Sequence, residues 1–369
     1  MVKCRNVFIR LAYKGILKPF FFRRDPEDVH DAMTRVGVML GAHAFTRTIT
    51  QWKFGYSDPL LQQRIWDITF PNPIGLAAGF DKDAELTSII PRVGFGFEEI
   101  GSITGLPCAG NPKPRLWRLP KSQGLVVWYG LKNKGSKFLS EKLRGKKFEF
   151  PIGTSIAMTN CSANLDTTTA ISDYHMAFEA FTTIGDYYTI NISCPNVTGG
   201  QPFIEPEKLD LLLTDLDTIA TTKPICIKLS PDISFDELDR ILVVAEKHRV
   251  HGIICGNLTK NKDNKRIIDS NIPEHGGISG KPTEELSNAL ISYIYKSKKD
   301  RFVIIGCGGV FSAEDAYKKI RSGASLVQLI TGIIFEGPQV VSEINCGLTD
   351  LLRCDGFSSI SEAIGVDSR

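Results

Sequence analysis

Beyond residue 70 the chain alternates short apolar runs with longer stretches in which apolar and polar positions recur at helical spacing. The runs are PIGLAAG (73–79), FEEIGSIT (97–104), PIGTSIAM (151–158), YYTINIS (187–193), PICIKLS (224–230), HGIICGN (251–257), RFVIIGCGG (301–309) and SLVQLITG (325–332). Each is almost continuously hydrophobic, as a parallel strand covered on both faces must be, and all but PIGTSIAM end in Gly, Asn, Ser or Thr. Eight such units predict an α/β fold, a (β/α)8 TIM barrel. An open doubly wound sheet would use fewer strands and want a glycine-rich first turn, and GLAAGFDKD is not a GxGxxG. Two connections, Gly105 to about Phe150 and Leu258 to about Thr283, are too long for linkers. Both follow strand C-terminal ends and belong on the catalytic face.

The first residues follow another pattern. VFIRLAYKGILKPFFFRRDPEDVHDAM interleaves Phe, Ile and Leu with Lys and Arg. It predicts helices outside the barrel, with DPEDVHDA as a cap and first turn. Residues 1–65 are read as this helical extension and 66–369 as the barrel. A basic, aromatic, amphipathic segment lies in a membrane interface or packs on its domain with a solvated basic face; composition leaves both open. It lacks the small-residue cleavage site of a secretory signal, and no run approaches the roughly 18 apolar residues that span a bilayer.

Composition narrows the function classes. Over 369 residues, 42% are hydrophobic and 23% charged, with a net charge of +3, too small and dispersed for a nucleic-acid partner. Nine cysteines occur without a CxxC pair, so no metal site is expected and a reducing compartment fits.

The candidate chemistry sits at strand ends. Glycines in GCGG (306–309) and ITG (330–332) let backbone N–H groups approach a phosphate; the plainer reading is turn glycines. Lys228, in a strand of Ile, Cys and Leu, is costly to bury unpaired and calls for an anionic ligand; a Schiff-base lysine is the rival. Lys82 raises the same question. Asn191, Asn196 and Asn257 suit a planar ligand rich in C=O and N–H groups, whereas one alone would be turn chemistry. Cys194 ends the fourth strand in a loop fixed by Pro195. Its thiol acts as a base once lysines or backbone dipoles favour the thiolate; none of the six histidines sits in a strong strand-end motif to serve a nucleophile, and an inert thiol is the alternative.

Taken together, GLAAGFDKD, EIGSITG, GNPKPRLWRLP, NISCPN, IKLSPD, GGISGKP, IIGCGG and ASLVQLITG resemble the dihydroorotate dehydrogenases, in order and at compatible spacing. The resemblance implies FMN and oxidation of dihydroorotate to orotate in pyrimidine biosynthesis. It makes Cys194 the base, with Lys82, Asn191, Asn196 and Asn257 on the substrate. Ala78, Gly79, Ser102, Lys228, Gly280, Gly309, Thr331 and Gly332 would hold the flavin. The N-terminal helices, DPEDVH and NPKPRLWRLP resemble the membrane-associated class, implying a membrane quinone as acceptor. In that class His30 and Arg118 match positions at the quinone entrance, with peripheral association at the cytoplasmic face of the inner or cell membrane.

The chain departs from that pattern in places. SCPNV carries a cysteine, as in the soluble class, where the quinone class has a serine helped by a threonine. Val127 stands where the family has a pyrimidine-binding asparagine, Ser155 where one contacts flavin, and Leu258 beside Asn257 where a threonine is usual. These leave two other expectations open: an oxidoreductase for a different cyclic amide, or a flavin-binding barrel without turnover.

Overall fold

The computed structural model describes residues 2–299 and 301–368. Eight parallel strands close into a barrel in the order β3 (Ile74–Leu76), β4 (Phe97–Ile103), β7 (Ile152–Ile156), β8 (Tyr187–Asn191), β9 (Ile225–Leu229), β10 (Gly252–Cys255), β12 (Val303–Cys307) and β13 (Leu326–Leu329), which pairs back to β3. Each lies within one of the eight apolar runs. Alternate side chains point inward and stack in layers. Phe97, Tyr187, Cys226, Ile254, Ile305 and Leu326 fill the lowest layer. Two residues further along three of those strands, Thr189 and Gln328 donate to the buried Glu99 carboxylate at 3.0 and 2.9 Å. At the same level of β9, Lys228 points inward from a strand buried throughout.

Five further strands lie outside the barrel wall. A hairpin of β1 (Gln63–Ile65) and β2 (Ile68–Phe70) caps the barrel floor, with Trp66 at its tip 6.0 Å from Tyr187. It follows the helices and falls across residues 65 and 66. The two long connections are not irregular: β5 (Leu116–Leu119), β6 (Gly124–Val127) and β11 (Gly277–Gly280) form one antiparallel sheet, with Val127 opposite both Leu116 and Gly277. Gly, Pro and charge punctuate those segments so densely that the two-residue alternation of each short strand is lost in sequence.

The N-terminal extension comprises α1 (Val2–Ala12), a π-helical turn (Tyr13–Leu17), α2 (Lys18–Phe22), α3 (Pro26–Ala42) and α4 (Ala44–Phe54). Asp25 caps α3 by accepting from the Glu27 and Asp28 backbone N–H groups, with Pro26 at the first turn. α1 and the π-helical turn meet the barrel's outer helices through ion pairs. Lys3, Arg10 and Lys14 pair with Asp350, Glu343 and Glu336 of the barrel's outer helices. Phe8, Phe45 and Trp52 are each 75% exposed, and 13 of the 21 exposed large hydrophobics among the described residues lie in the first 54.

Candidate active site

A cavity of about 500 Å³ runs from the barrel mouth, under the β5–β6 arm, into the space between α2, α3, α4 and the barrel. At the mouth it is lined by Ala78, Gly79, Lys82, Ser102, Asn191, Cys194, Asn196, Lys228, Asn257 and Thr331. At the helical end His30 and Arg118 join Phe21, Phe22, Met33 and Leu40. A smaller cavity opens beside it, lined by Gly280, Gly309, Thr331 and Gly332 together with Ala78, Lys228 and Asn257. All 15 site residues singled out in sequence line one or both cavities.

The asparagines are held by one another. Asn191 donates to Ser102 Oγ at 2.9 Å and accepts from Asn257 Nδ2 at 3.2 Å. Asn257 also reaches Ser193 Oγ at 3.0 Å, and its own carbonyl accepts the Leu258 N–H at 2.9 Å. Ser155 does not line either cavity; its hydroxyl meets that of Ser102 at 2.8 Å, behind Asn191. Asn196 turns toward the arm, donating to the Val127 carbonyl at 2.8 Å, while Asn111 donates to the Asn196 carbonyl at 3.0 Å. The loop carrying Cys194 is thereby tied to β6.

Cys194 differs from the thiolate expected in sequence. Burial pushes its thiol up to about 11, outweighing the Asn196 backbone N–H and the charges of Lys260 and Lys228, which favour the thiolate. The thiol is therefore protonated at neutral pH.

Lys82 lies over the Tyr129 ring, 4.1 Å from its centroid. Burial, and then the charge of Lys132, bring its ammonium down to about 8, against Asp31, Glu27 and Asp81. His30 packs edge-on against Phe80 at 4.9 Å, and burial with the Lys82 charge holds its ring down at about 3, so it is neutral. Arg118 donates to the Arg24 carbonyl at 2.8 Å and lies over the Phe22 ring.

Charge along the large cavity is one-sided. Lys82, Lys132, Lys228 and Arg118 line it, and among the described residues no Asp or Glu does. Lys228 is 5% exposed and has no hydrogen-bond or ion-pair partner among them. Beside the smaller cavity the backbone N–H groups of Gly308 and Gly309 donate to no protein acceptor among the described residues. At Gly309, φ is 73° and a Cβ would stand 2.4 Å from that of Glu284, so only glycine brings the backbone this close. Unpaired buried donors around a concave space fit an anionic, phosphate-bearing ligand such as a flavin mononucleotide.

Four residues in or beside the site were not singled out in sequence: Glu27, Arg115, Tyr129 and Lys132. Arg115 and Glu27 form a buried two-pronged pair, with nitrogen–oxygen distances of 2.8 and 3.0 Å, joining α3 to the segment before β5. Sequence marked Glu27 only as part of a cap. The sole hint was an arginine inside NPKPR, where five donors need an acid if the turn is buried.

Comparison with known proteins agrees with this geometry. Residues 60–352 match the family model described as dihydroorotate dehydrogenase. Proteins named dihydroorotate dehydrogenase (quinone) from Gloeobacter violaceus and Natronomonas pharaonis are each 36% identical, over 95% of this chain and 98% of theirs. Two crystal structures of DHODH from Eimeria tenella, 29% identical, superpose over 94% of this chain. The one with ferulenol has a TM-score of 0.82 and covers 96% of that chain; the ligand-free one has 0.84 and covers 100%.

Proposed function

The chain belongs to the dihydroorotate dehydrogenase family, and on that premise we propose that it oxidises dihydroorotate to orotate with bound FMN and passes the electrons to a membrane quinone. The observation that carries this reading is the single cavity joining a barrel mouth rich in amides and cations to an apolar space beneath the helices. An anionic substrate suits a wall with four cations and no carboxylate. The apolar faces of Val127 and Leu258 favour a neutral cyclic amide such as dihydrouracil as the second reading.

In this proposal Lys228 and the N–H groups of Gly308 and Gly309 hold the flavin's anionic edge and phosphate, with Ala78, Gly79, Ser102, Gly280, Thr331 and Gly332 shaping its cradle. A bound flavin would supply the acceptor for the hydride that leaves C6 of dihydroorotate. Cys194, in its minor thiolate form, takes the proton from C5 and becomes the thiol. Asn191 and Asn257, already oriented by each other, present amide groups to the pyrimidine ring, and Asn196 steadies its edge beside β6. Lys82 faces the substrate carboxylate. Water is kept out by the arm that Asn196 and Asn111 fasten over the mouth. His30 and Arg118 stand where a quinone enters between α2 and α3.

Residues 1–65 serve in this reading as the membrane-docking and quinone-access segment and 66–369 as the catalytic barrel. Among the described residues no helix is long and apolar enough to cross a membrane. Exposed aromatic side chains interleaved with partly exposed lysines and arginines suit helices resting in a membrane interface as a peripheral anchor, here on the cytoplasmic face of the inner or cell membrane.

The test is an anaerobic visible spectrum of the purified protein, before and after dihydroorotate and then with a short-chain quinone. Bleaching of the flavin band by dihydroorotate and its return with quinone are the expected results. A band that only dihydrouracil bleaches would transfer the proposal to the neutral amide. Absence of a flavin band would overturn it.

A further inference from the structure

Lys319 is 0% exposed and lines neither cavity. It belongs to the helix Ala313–Arg321 outside the barrel wall, and its stem passes Gly306 of β12. A Cβ at Gly306 would stand 3.1 Å from Lys319 Cδ and 2.9 Å from Ile291 Cδ1, so glycine leaves the lysine its channel. Burying an ammonium is costly, and an acid usually accompanies it. Here Glu284 and Asp315, the acids whose charge reaches it, pair with Lys281 instead, at 2.9 and 2.7 Å. Burial brings Lys319 down to about 8, against Cys307, Glu284, Cys255 and Asp315, so at neutral pH it keeps its charge.

Neutral groups receive that charge. The ammonium donates to Asn288 Oδ1 at 2.8 Å and to Ser287 Oγ at 3.0 Å, both on the helix Glu284–Lys298. Ser287 is itself fully buried and donates to the Cys255 carbonyl at 2.8 Å. The polarity of this chain is fixed by its first member. An ammonium cannot accept, so the Ser287 hydroxyl must accept from it and turn its single proton to Cys255. Hydrogen bonds that start from a charge are stronger than those between neutral groups.

Cys255 ends β10, and the next backbone N–H, that of Gly256, donates to the Cys307 carbonyl at 2.9 Å. Both polar groups of that peptide are thereby held, one by Ser287 and one by β12. Asn257 follows directly, and its amide bridges Asn191 and Ser193 at the barrel mouth. We propose that Lys319 is a positioning residue for substrate binding: through Ser287 it clamps the end of β10 and so sets where the Asn257 amide stands. The inference rests on the reading of Asn257 as a substrate contact.

The experiment uses the full-length flavin-loaded protein, its K319M, S287A and N257A variants and the double variant S287A/N257A. Hydrogen–deuterium exchange of the peptide over residues 252–260, without substrate, reads the clamp. Exchange there should quicken about tenfold in S287A and K319M, while the peptide over residues 97–103, on the opposite wall, stays as in the parent. The KM for dihydroorotate reads the consequence. S287A should raise it about tenfold with kcat little changed and flavin content intact, and S287A/N257A should be no worse than N257A alone. S287A leaves Lys319 bonded to Asn288, so it carries the test if K319M does not fold. Unchanged exchange in S287A overturns the proposal. So does an additive S287A/N257A, because Ser287 would then act on the substrate by a path other than Asn257. If the parent does not oxidise dihydroorotate, the functional reading fails, yet the exchange rates still decide whether Lys319 and Ser287 clamp β10.

Discussion

The side-chain amide of Asn196 donates to the backbone carbonyl of Val127 at 2.8 Å, joining the Cys194 loop to the arm over the barrel mouth. The bond occupies one face of the amide and leaves the Val127 side chain as an apolar patch in the cavity wall. Val127→Asn places a hydrogen-bonding group at that patch without touching the backbone carbonyl. One added neutral hydrogen bond is worth about 1 kcal/mol, so KM for dihydroorotate should fall about fivefold with kcat little changed. Steady-state kinetics at saturating quinone measure this; an unchanged KM means that the substrate ring does not face this wall.

Catalysis by Cys194 should carry a distinctive pH signature. Burial lifts its thiol to about 11, whereas burial and Lys132 lower Lys82 to about 8. The productive form needs the thiolate of one and the ammonium of the other. From neutral pH up to about 8, Lys82 stays charged and the thiolate fraction grows, so kcat/KM rises about tenfold per unit. Between about 8 and 11 the gain in thiolate offsets the loss of ammonium and the profile is flat. Cys194→Ala should slow flavin reduction about 10²–10⁴-fold in stopped flow while flavin stays bound. Normal reduction in that variant removes Cys194 as the base.

The Glu27–Arg115 pair should fasten α3 to the barrel in a pH-dependent way. Burial opposes the Glu27 charge, but Arg115, Lys113 and Lys132 prevail and hold its carboxyl at about 2, below the ordinary 4.5. A depressed carboxyl contributes stability that is full above 4.5 and is lost as pH falls toward 2. Glu27→Gln leaves Arg115 buried without its counter-charge and should cost about 3–5 kcal/mol at pH 7. Thermal melts of both proteins across this range should converge at the acid end. A constant gap would show that the pair contributes through packing instead of charge.

Membrane docking should depend on the outward aromatic side chains. Phe8, Phe45 and Trp52, each 75% exposed, bury little against the protein. The triple change to Glu should therefore leave the melting temperature nearly unaltered. Vesicle co-sedimentation should weaken at least tenfold, since each large side chain withdrawn from lipid forfeits roughly 1.5–3 kcal/mol. Flavin reduction by dihydroorotate should persist, because these residues are outside the cavity. Undiminished vesicle binding would place the docking surface elsewhere.

The barrel was legible because its signal is repeated eight times. A strand covered on both faces must be hydrophobic throughout, so PICIKLS and its seven counterparts announce themselves without reference to partners. Chemistry at strand ends was legible for the converse reason. Lys228 in an otherwise apolar strand and Cys194 beside Pro195 break a local rule, and such breaks are expensive unless a ligand compensates. The arm was not legible, since β5, β6 and β11 are short strands whose pairing joins segments some 150 residues apart.

Sequence alone thus determined the fold class, the strand ends that meet at the mouth, and the residue types gathered there, because each depends on periodicity or on a single residue's intolerance of its surroundings. Only the tertiary structure decided the protonation of those residues. Whether Cys194 is thiol or thiolate and Lys82 firm or labile depends on burial and on charges brought by other elements, Lys132 and Glu27 among them. The orientation of the helical extension belongs to the same class. Three of its cations pair with the acids at 336, 343 and 350, nearly the whole chain away, while Phe8, Phe45 and Trp52 stay exposed. Electrostatic and desolvation energies depend on distance in space, which separation along the chain does not encode.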